Sequence, residues 1–230
     1  MWIRKLFLII PQAVYCFSGT LAQPPIQPNY GLKSHETLEI IKVETTAEET
    51  SIYMSIENRI PKGSFCADRN IFIINPDGTG SKLISSAGIP VCPVKYNFKT
   101  IGEKLDFTLT FPPLKPDVKW IDLIEECSEN CFWFYGVTLD SVLNKKLNDV
   151  FTMASVKKPS DNIYLFNSIL DSIDSQNLGI EGLLYINIIN TAVEEADKVN
   201  AIIWYKRLAS SGAPRLNQYF KYLNDKGIKY

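Results

Sequence analysis

Up to about Asp140 apolar residues alternate with polar ones, and beyond it they recur every third and fourth position. Leu105, Phe107, Leu109 and Phe111 are separated by Asp106, Thr108 and Thr110, the alternation of a half-buried strand. Leu216, Tyr219, Phe220 and Leu223 instead share one face of a helix. The pattern predicts a segregated α+β chain, with a β-module over 36–140 and an all-α helical-hairpin region over 141–230.

Within the β-module the predicted strands are 38–43, 51–56, 70–75, 82–85, 96–98, 104–111, 118–124 and 132–139. Turn chemistry punctuates them at Pro76-Asp77-Gly78-Thr79-Gly80, Pro112-Pro113 and Pro116-Asp117. Short strands at this spacing predict an immunoglobulin-like β-sandwich. In the last strand Phe132 and Phe134 face one way and Trp133 and Tyr135 the other, so either both faces are covered or one is open for binding.

The helical region repeats against itself at an offset of 38 residues, which aligns Leu147 with Tyr185, Val150 with Ile188, Phe166 with Trp204 and Leu170 with Leu208. Two helix pairs followed by a final helix follow the logic of tetratricopeptide repeats, although that family's unit is usually nearer 34 residues. Such a short stack gains by docking on the sandwich. Gly179 and Gly182 leave the start of its third helix open.

The first residues read as an address. Arg4 and Lys5 precede a mostly apolar Leu6–Phe17, and Thr20-Leu21-Ala22 offers a cleavage site with Gln23 as the new N-terminus. A lipid on Cys16 is disfavoured by the bulky Tyr15 before it. The polar, proline-bearing 23–35 then reads as a linker or loose arm. The 230-residue chain has 24 Lys and Arg, 25 Asp and Glu and a net charge of −1, and losing residues 1–22 would make it −3. Nucleic acid is therefore an unsuitable partner. No segment after the signal is apolar enough to cross a membrane.

Cys66, Cys92, Cys127 and Cys131 remain after the signal, an even number in an exported chain. Ser128-Glu129-Asn130 looks like a hairpin tip that would pair Cys127 with Cys131 and leave Cys66 for Cys92. Zinc is the competing reading of four cysteines, but Cys66 and Cys92 form no second knuckle.

Catalytic constellations are missing from the sequence. His35, the single histidine, lies in the predicted arm, away from any nucleophile. The Gly78–Lys82 segment has Ser before Lys, the reverse of a phosphate loop. Asn75, Asp77 and Thr79 lack the carboxylate an EF-hand places at its twelfth position. Asp122, Glu125 and Glu126 are the one acidic group from which a hydrolase could be built. Trp204 and Tyr205 could line a peptide groove, and Trp120, Trp133 or Tyr135 could stack on a sugar.

Several phrases occur together: Ile89-Pro90-Val91-Cys92-Pro93, Gly102-Glu103-Lys104-Leu105, Phe111-Pro112-Pro113-Leu114, Trp120-Ile121-Asp122-Leu123-Ile124-Glu125 and Cys131-Phe132-Trp133-Phe134-Tyr135-Gly136. Through them the chain resembles uncharacterised exported β-sandwich proteins of Bacteroidota-type bacteria. The resemblance implies export and a sandwich over most of 36–140 and supplies no catalytic residues. The expectation is an exported, non-enzymatic binding or scaffold protein of the cell envelope, without a cofactor or metal. Its partner would be a protein or, in the alternative, a glycan.

Overall fold

The computed structural model describes residues 27–173 and 176–230. The expected signal segment, its cut between Ala22 and Gln23 and the arm up to residue 26 lie outside the described residues. The strands are β1 (Leu32–Lys33), β2 (Leu38–Thr45), β3 (Thr50–Glu57), β4 (Ser64–Phe65), β5 (Ile71–Ile74), β6 (Gly80–Lys82), β7 (Ser85–Ala87), β8 (Tyr96–Asn97), β9 (Lys104–Phe111), β10 (Trp120–Glu125) and β11 (Trp133–Thr138). The helices are α1 (Ser141–Ala154), α2 (Pro159–Ser172), α3 (Glu181–Glu194), α4 (Lys198–Ser210) and α5 (Leu216–Asp225). The segregated α+β arrangement is therefore the one the period predicts.

Two antiparallel sheets face each other. One runs β2-β3-β9-β7 and the other β1-β11-β10-β5-β6, while β4 and β8 form a separate ribbon. Ile52, Met54, Phe107 and Leu109 of the first meet Ile71, Ile73, Leu123 and Phe134 of the second in one apolar cluster. Alternation sends their neighbours outward: Tyr53 lies on the outer face of β3, with its hydroxyl donating to Glu44 at 2.7 Å. In β2 the register shifts between Ile40 and Lys42, so Ile40 and Val43 are both buried and Ile41 is left outside.

The helices cover the outer face of the five-stranded sheet. Their cluster of Leu147, Phe166, Ile189, Leu208 and Leu223 takes in Leu32, Trp133 and Tyr135 from the strands. This is why β10 and β11 are apolar on both sides. The change of period falls at Asp140 because its side chain caps α1, accepting from the backbone N–H of Val142 at 2.9 Å and Leu143 at 3.0 Å.

The expected loose arm is corrected over its described part. Lys33 and Leu32 pair with Phe134 and Tyr135. The Asn29 side chain donates to Asn144 Oδ1 at 2.7 Å and Asn148 Oδ1 at 2.8 Å on α1. A two-residue strand has too little length to show a period, so its polar neighbours made it look unstructured.

Candidate functional site

A cavity of about 550 Å³ opens among α2, α3 and α4. Asn167, Leu170 and Asp171 come from α2, Glu181 and Tyr185 from the first turns of α3, and Trp204, Arg207 and Ser210 from α4. Trp204 is mostly buried, and the Arg207 guanidinium lies over its ring at 4.5 Å from the centroid. Tyr185 stands 6.1 Å from the same indole. Glu181 spends one oxygen on the backbone N–H of Leu178 at 2.6 Å. Its other oxygen, Oε2, is buried without a hydrogen-bond partner. The cleft thus offers aromatic surface, both signs of charge and amide groups.

The cleft is held in place by a seam between helices and sheet. A bulge in β11 sets Gly136 opposite Asp122, whose Oδ1 accepts the Gly136 N–H at 2.8 Å. Arg215, entering α5, reaches the other oxygen of this buried carboxylate with Nε at 2.7 Å and Nη2 at 2.5 Å. Two nitrogens on one carboxylate fix orientation as well as charge. Trp120 donates its indole N–H to the Asn177 carbonyl at 3.0 Å, tying the α2–α3 loop to β10. Close approach there needs glycine. A Cβ on Gly179 would sit 2.5 Å from the Trp120 ring, and one on Gly136 would sit 2.1 Å from the Gly179 carbonyl oxygen.

Tyr219 of α5 completes the seam. It is fully buried, and hypothetical Cβ atoms on Gly31 and Gly182 would both collide with it. Burial, assisted by the charges of Glu181 and Asp122, pushes its phenol far above the usual range.

The candidate aromatics fall in different places. Trp204 lines the cleft, but Tyr205, one residue further round α4, packs on Phe220 and Tyr230 at 5.0 and 5.5 Å and is corrected as a groove residue. Trp120 is buried, and Trp133 and Tyr135, stacked at 4.4 Å, lie half-buried under the helices. Helices therefore pack against the face on which the alternative reading places a sugar, burying Trp120 and leaving Trp133 and Tyr135 partly covered.

The acidic trio does not converge. Asp122 faces the helices, Glu126 is exposed, and buried Glu125 closes the far end of β10. Its carboxylate accepts from the backbone N–H of Asp68 at 2.7 Å and of Phe132 at 3.1 Å. Burial pushes that carboxyl up, and the two N–H groups pull against it.

Cys66 is bonded to Cys92 and Cys127 to Cys131. Half-buried His35 shares a 2.8 Å hydrogen bond with Ser34 Oγ, and burial lowers its pKa. Asp77 accepts from both the N–H and the hydroxyl of Thr79, the internal bonding of a hairpin turn. Among the described residues no group of three or more His, Cys, Asp or Glu is placed to hold a metal. No described helix is long and apolar enough to cross a membrane.

Sequence reasoning missed Asp171, Glu181, Tyr185, Arg207 and Arg215. The 38-residue repeat aligns Tyr185 with Leu147, a polar-edged aromatic opposite a core leucine, which was the available signal. Arg215 carried none, because its partner lies 93 residues away.

No protein-family model matches the chain. No curated protein matches it either. Among solved structures a secreted protein of Mycobacterium tuberculosis, MPT63, is similar at 12% identity. That match covers 49% of this chain and 99% of the other, with a TM-score of 0.32.

Proposed function

We propose that this chain is an exported, non-enzymatic binding protein of the cell envelope, periplasmic or secreted, that grips an extended segment of a partner protein in the α2–α3–α4 cleft. The carrying observation is the cleft itself, with Trp204 under Arg207 and the unpartnered Glu181 oxygen in its lining. The strand orders β2-β3-β9-β7 and β11-β10-β5-β6 support an immunoglobulin-like reading of the sandwich. Two successive helix pairs with a final helix support a tetratricopeptide-like reading of the rest. The two disulfides suit an oxidising compartment and hence export. The non-enzymatic reading rests on the carboxylates: Asp122 and Glu125 are engaged in holding the fold.

Photo-crosslinking residues placed at 171 and 210 test the proposal, with position 108 on the outer sheet face as the control. Both cleft positions should label the same partner segment, and Ser210→Trp, which fills the cleft, should abolish labelling from position 171. Labelling no stronger than at position 108 would dismiss the cleft as a binding site.

A further inference from the structure

The β3·β9 ladder does not end at Glu57 and Lys104. Past an interruption it resumes as the β4–β8 ribbon, with Ser64 opposite Asn97 and Phe65 opposite Tyr96. In the interruption both strands bulge outward together, as 59–62 on one side and 99–102 on the other. Each bulge carries one isoleucine and one unpaired lysine: Ile60 with Lys62, and Ile101 with Lys99.

The isoleucines are not loose. Buried Asn58 ties the bulges together: its N–H donates to Glu103 O at 2.8 Å, its carbonyl accepts from Gly102 N at 2.7 Å, and its amide donates to Thr100 O at 2.8 Å. Glu103 turns its carboxylate inward, accepting from the N–H groups of Lys99 at 2.6 Å and Thr100 at 3.2 Å and from the Tyr96 hydroxyl at 2.6 Å. On this braced platform Ile60 is 64% and Ile101 62% exposed. Exposure alone is common on this surface, but the register on either side of the interruption sets these two isoleucines opposite each other, a paired apolar point rather than scattered single residues.

Charge selects the occupant. Arg59 and Lys104 are balanced by Glu57, with Glu36 also near Arg59, while the Glu103 carboxylate is consumed by the bulge itself. Lys62 and Lys99 have no ion pair among the described residues, and both are exposed. The acidic Glu126 and Glu129 belong to the β10–β11 hairpin of the other sheet. A tip with two apolar points and two exposed lysines outside any ion pair among the described residues, Lys99 also lying within the field of Glu103, needs no shaped pocket opposite it. It suits a laterally fluid, negatively charged surface that can accept apolar side chains.

We propose that the paired bulges dock the protein on an anionic lipid surface, with Ile60 and Ile101 entering the acyl boundary and Lys62 and Lys99 meeting headgroup phosphates. This goes beyond the cleft, and either reading can fail alone.

The test is co-sedimentation of the full chain with phosphatidylcholine vesicles with and without phosphatidylglycerol, at low and high salt. Binding should require phosphatidylglycerol and fall with salt. Removing charge with K62Q and K99Q should weaken it about fivefold per lysine. The I60S/I101S double variant should weaken it by about tenfold or more at unchanged Tm, because both side chains are already in solvent. Relative to the parent, whose own tryptophans also emit, Ile60→Trp should add an emission component that shifts to the blue on phosphatidylglycerol vesicles, which reads insertion. Absence of binding to phosphatidylglycerol vesicles, or binding untouched by both pairs of substitutions, would overturn the proposal. So would a protein cross-link from position 60 combined with indifference to vesicles, which would assign the tip to a protein partner.

Discussion

Arg215 enters α5 with a left-handed backbone, φ 58°, and so brings its guanidinium onto Asp122. Asp122 is buried and Arg215 partly exposed, so the two partners differ in what their loss leaves behind. Arg215→Ala strands a carboxylate beneath the helices, and urea unfolding should show a loss of about 3–5 kcal/mol. Arg215→Lys keeps the charge but not the two-nitrogen grip and should fall in between. A pair of glycines separates steric from conformational need. A Cβ on Gly182 would lie 2.0 Å from the Tyr219 ring, whereas one on Gly212, at φ 68°, would meet nothing. Gly182→Ala should cost about 2–3 kcal/mol, against about 1 kcal/mol for Gly212→Ala. Titration gives a third expectation. Glu125 is raised from its ordinary 4.5, so its contribution to stability is full below that value and is lost as pH rises through the folded value. His35 is lowered from 6.5 and acts oppositely: its contribution is present above that value and is lost as pH falls. Unfolding curves of the parent and Glu125→Gln across this range should therefore diverge in the variant's favour as pH rises. Parallel curves would contradict a raised Glu125. These residue-scale features were the least legible in the sequence, because Asp122, Arg215 and Tyr219 acquire their roles only from partners distant in the chain.

At the scale of elements the sequence was more readable. Long strands with one wet face, β2, β3 and β9, declared themselves by alternation, and the helices by period. Asp140 marked a boundary that its side chain physically makes by capping α1. The two-residue strands β1 and β4 carried no such signal, since a period needs length. The bulge at Ile41 left one trace, the adjacent Ile40-Ile41 that breaks the alternation of Leu38, Glu39, Lys42 and Val43, and a single break of parity does not by itself distinguish a bulge from a strand end. Both disulfides lie at the end of the sandwich where Glu125 ties Asp68 to Phe132. Cys66–Cys92 joins the segment before β5 to the segment before β8, closing 26 residues, whereas Cys127–Cys131 closes 4. Cys66→Ala/Cys92→Ala should therefore lower stability by about 3 kcal/mol and the tip pair by about 2 kcal/mol or less. Thermal unfolding of the two double variants checks the order.

For the whole molecule, the order of modules was legible and the way they meet was not. Aromatics on both sides of β11 hinted that the sheet is sandwiched. Which helices cover it, and that a cleft results, depends on the geometry of the seam. Trp120, Gly136, Asp122 and Tyr135 all take part in that seam, so sheet and helices are parts of one cooperative body. The full chain should unfold in a single transition by both near- and far-ultraviolet dichroism. Residues 141–230 alone should not hold their helices at the same temperature, since their apolar face would have lost Leu32, Trp133 and Tyr135. Two separated transitions would refute that coupling.

The contact of Gly31 with Tyr219 has a consequence in time. The residue just ahead of the first described strand is covered by the last described helix, 188 positions further along the chain. A chain that emerges from its N-terminus cannot cover this part of its seam until α5 has also emerged. Release after Ser211 would supply both sheets and four helices, yet leave Asp122 without its guanidinium and Gly31 beside an empty socket. Closure is therefore a late event in the assembly of this fold, reserved for a chain delivered whole.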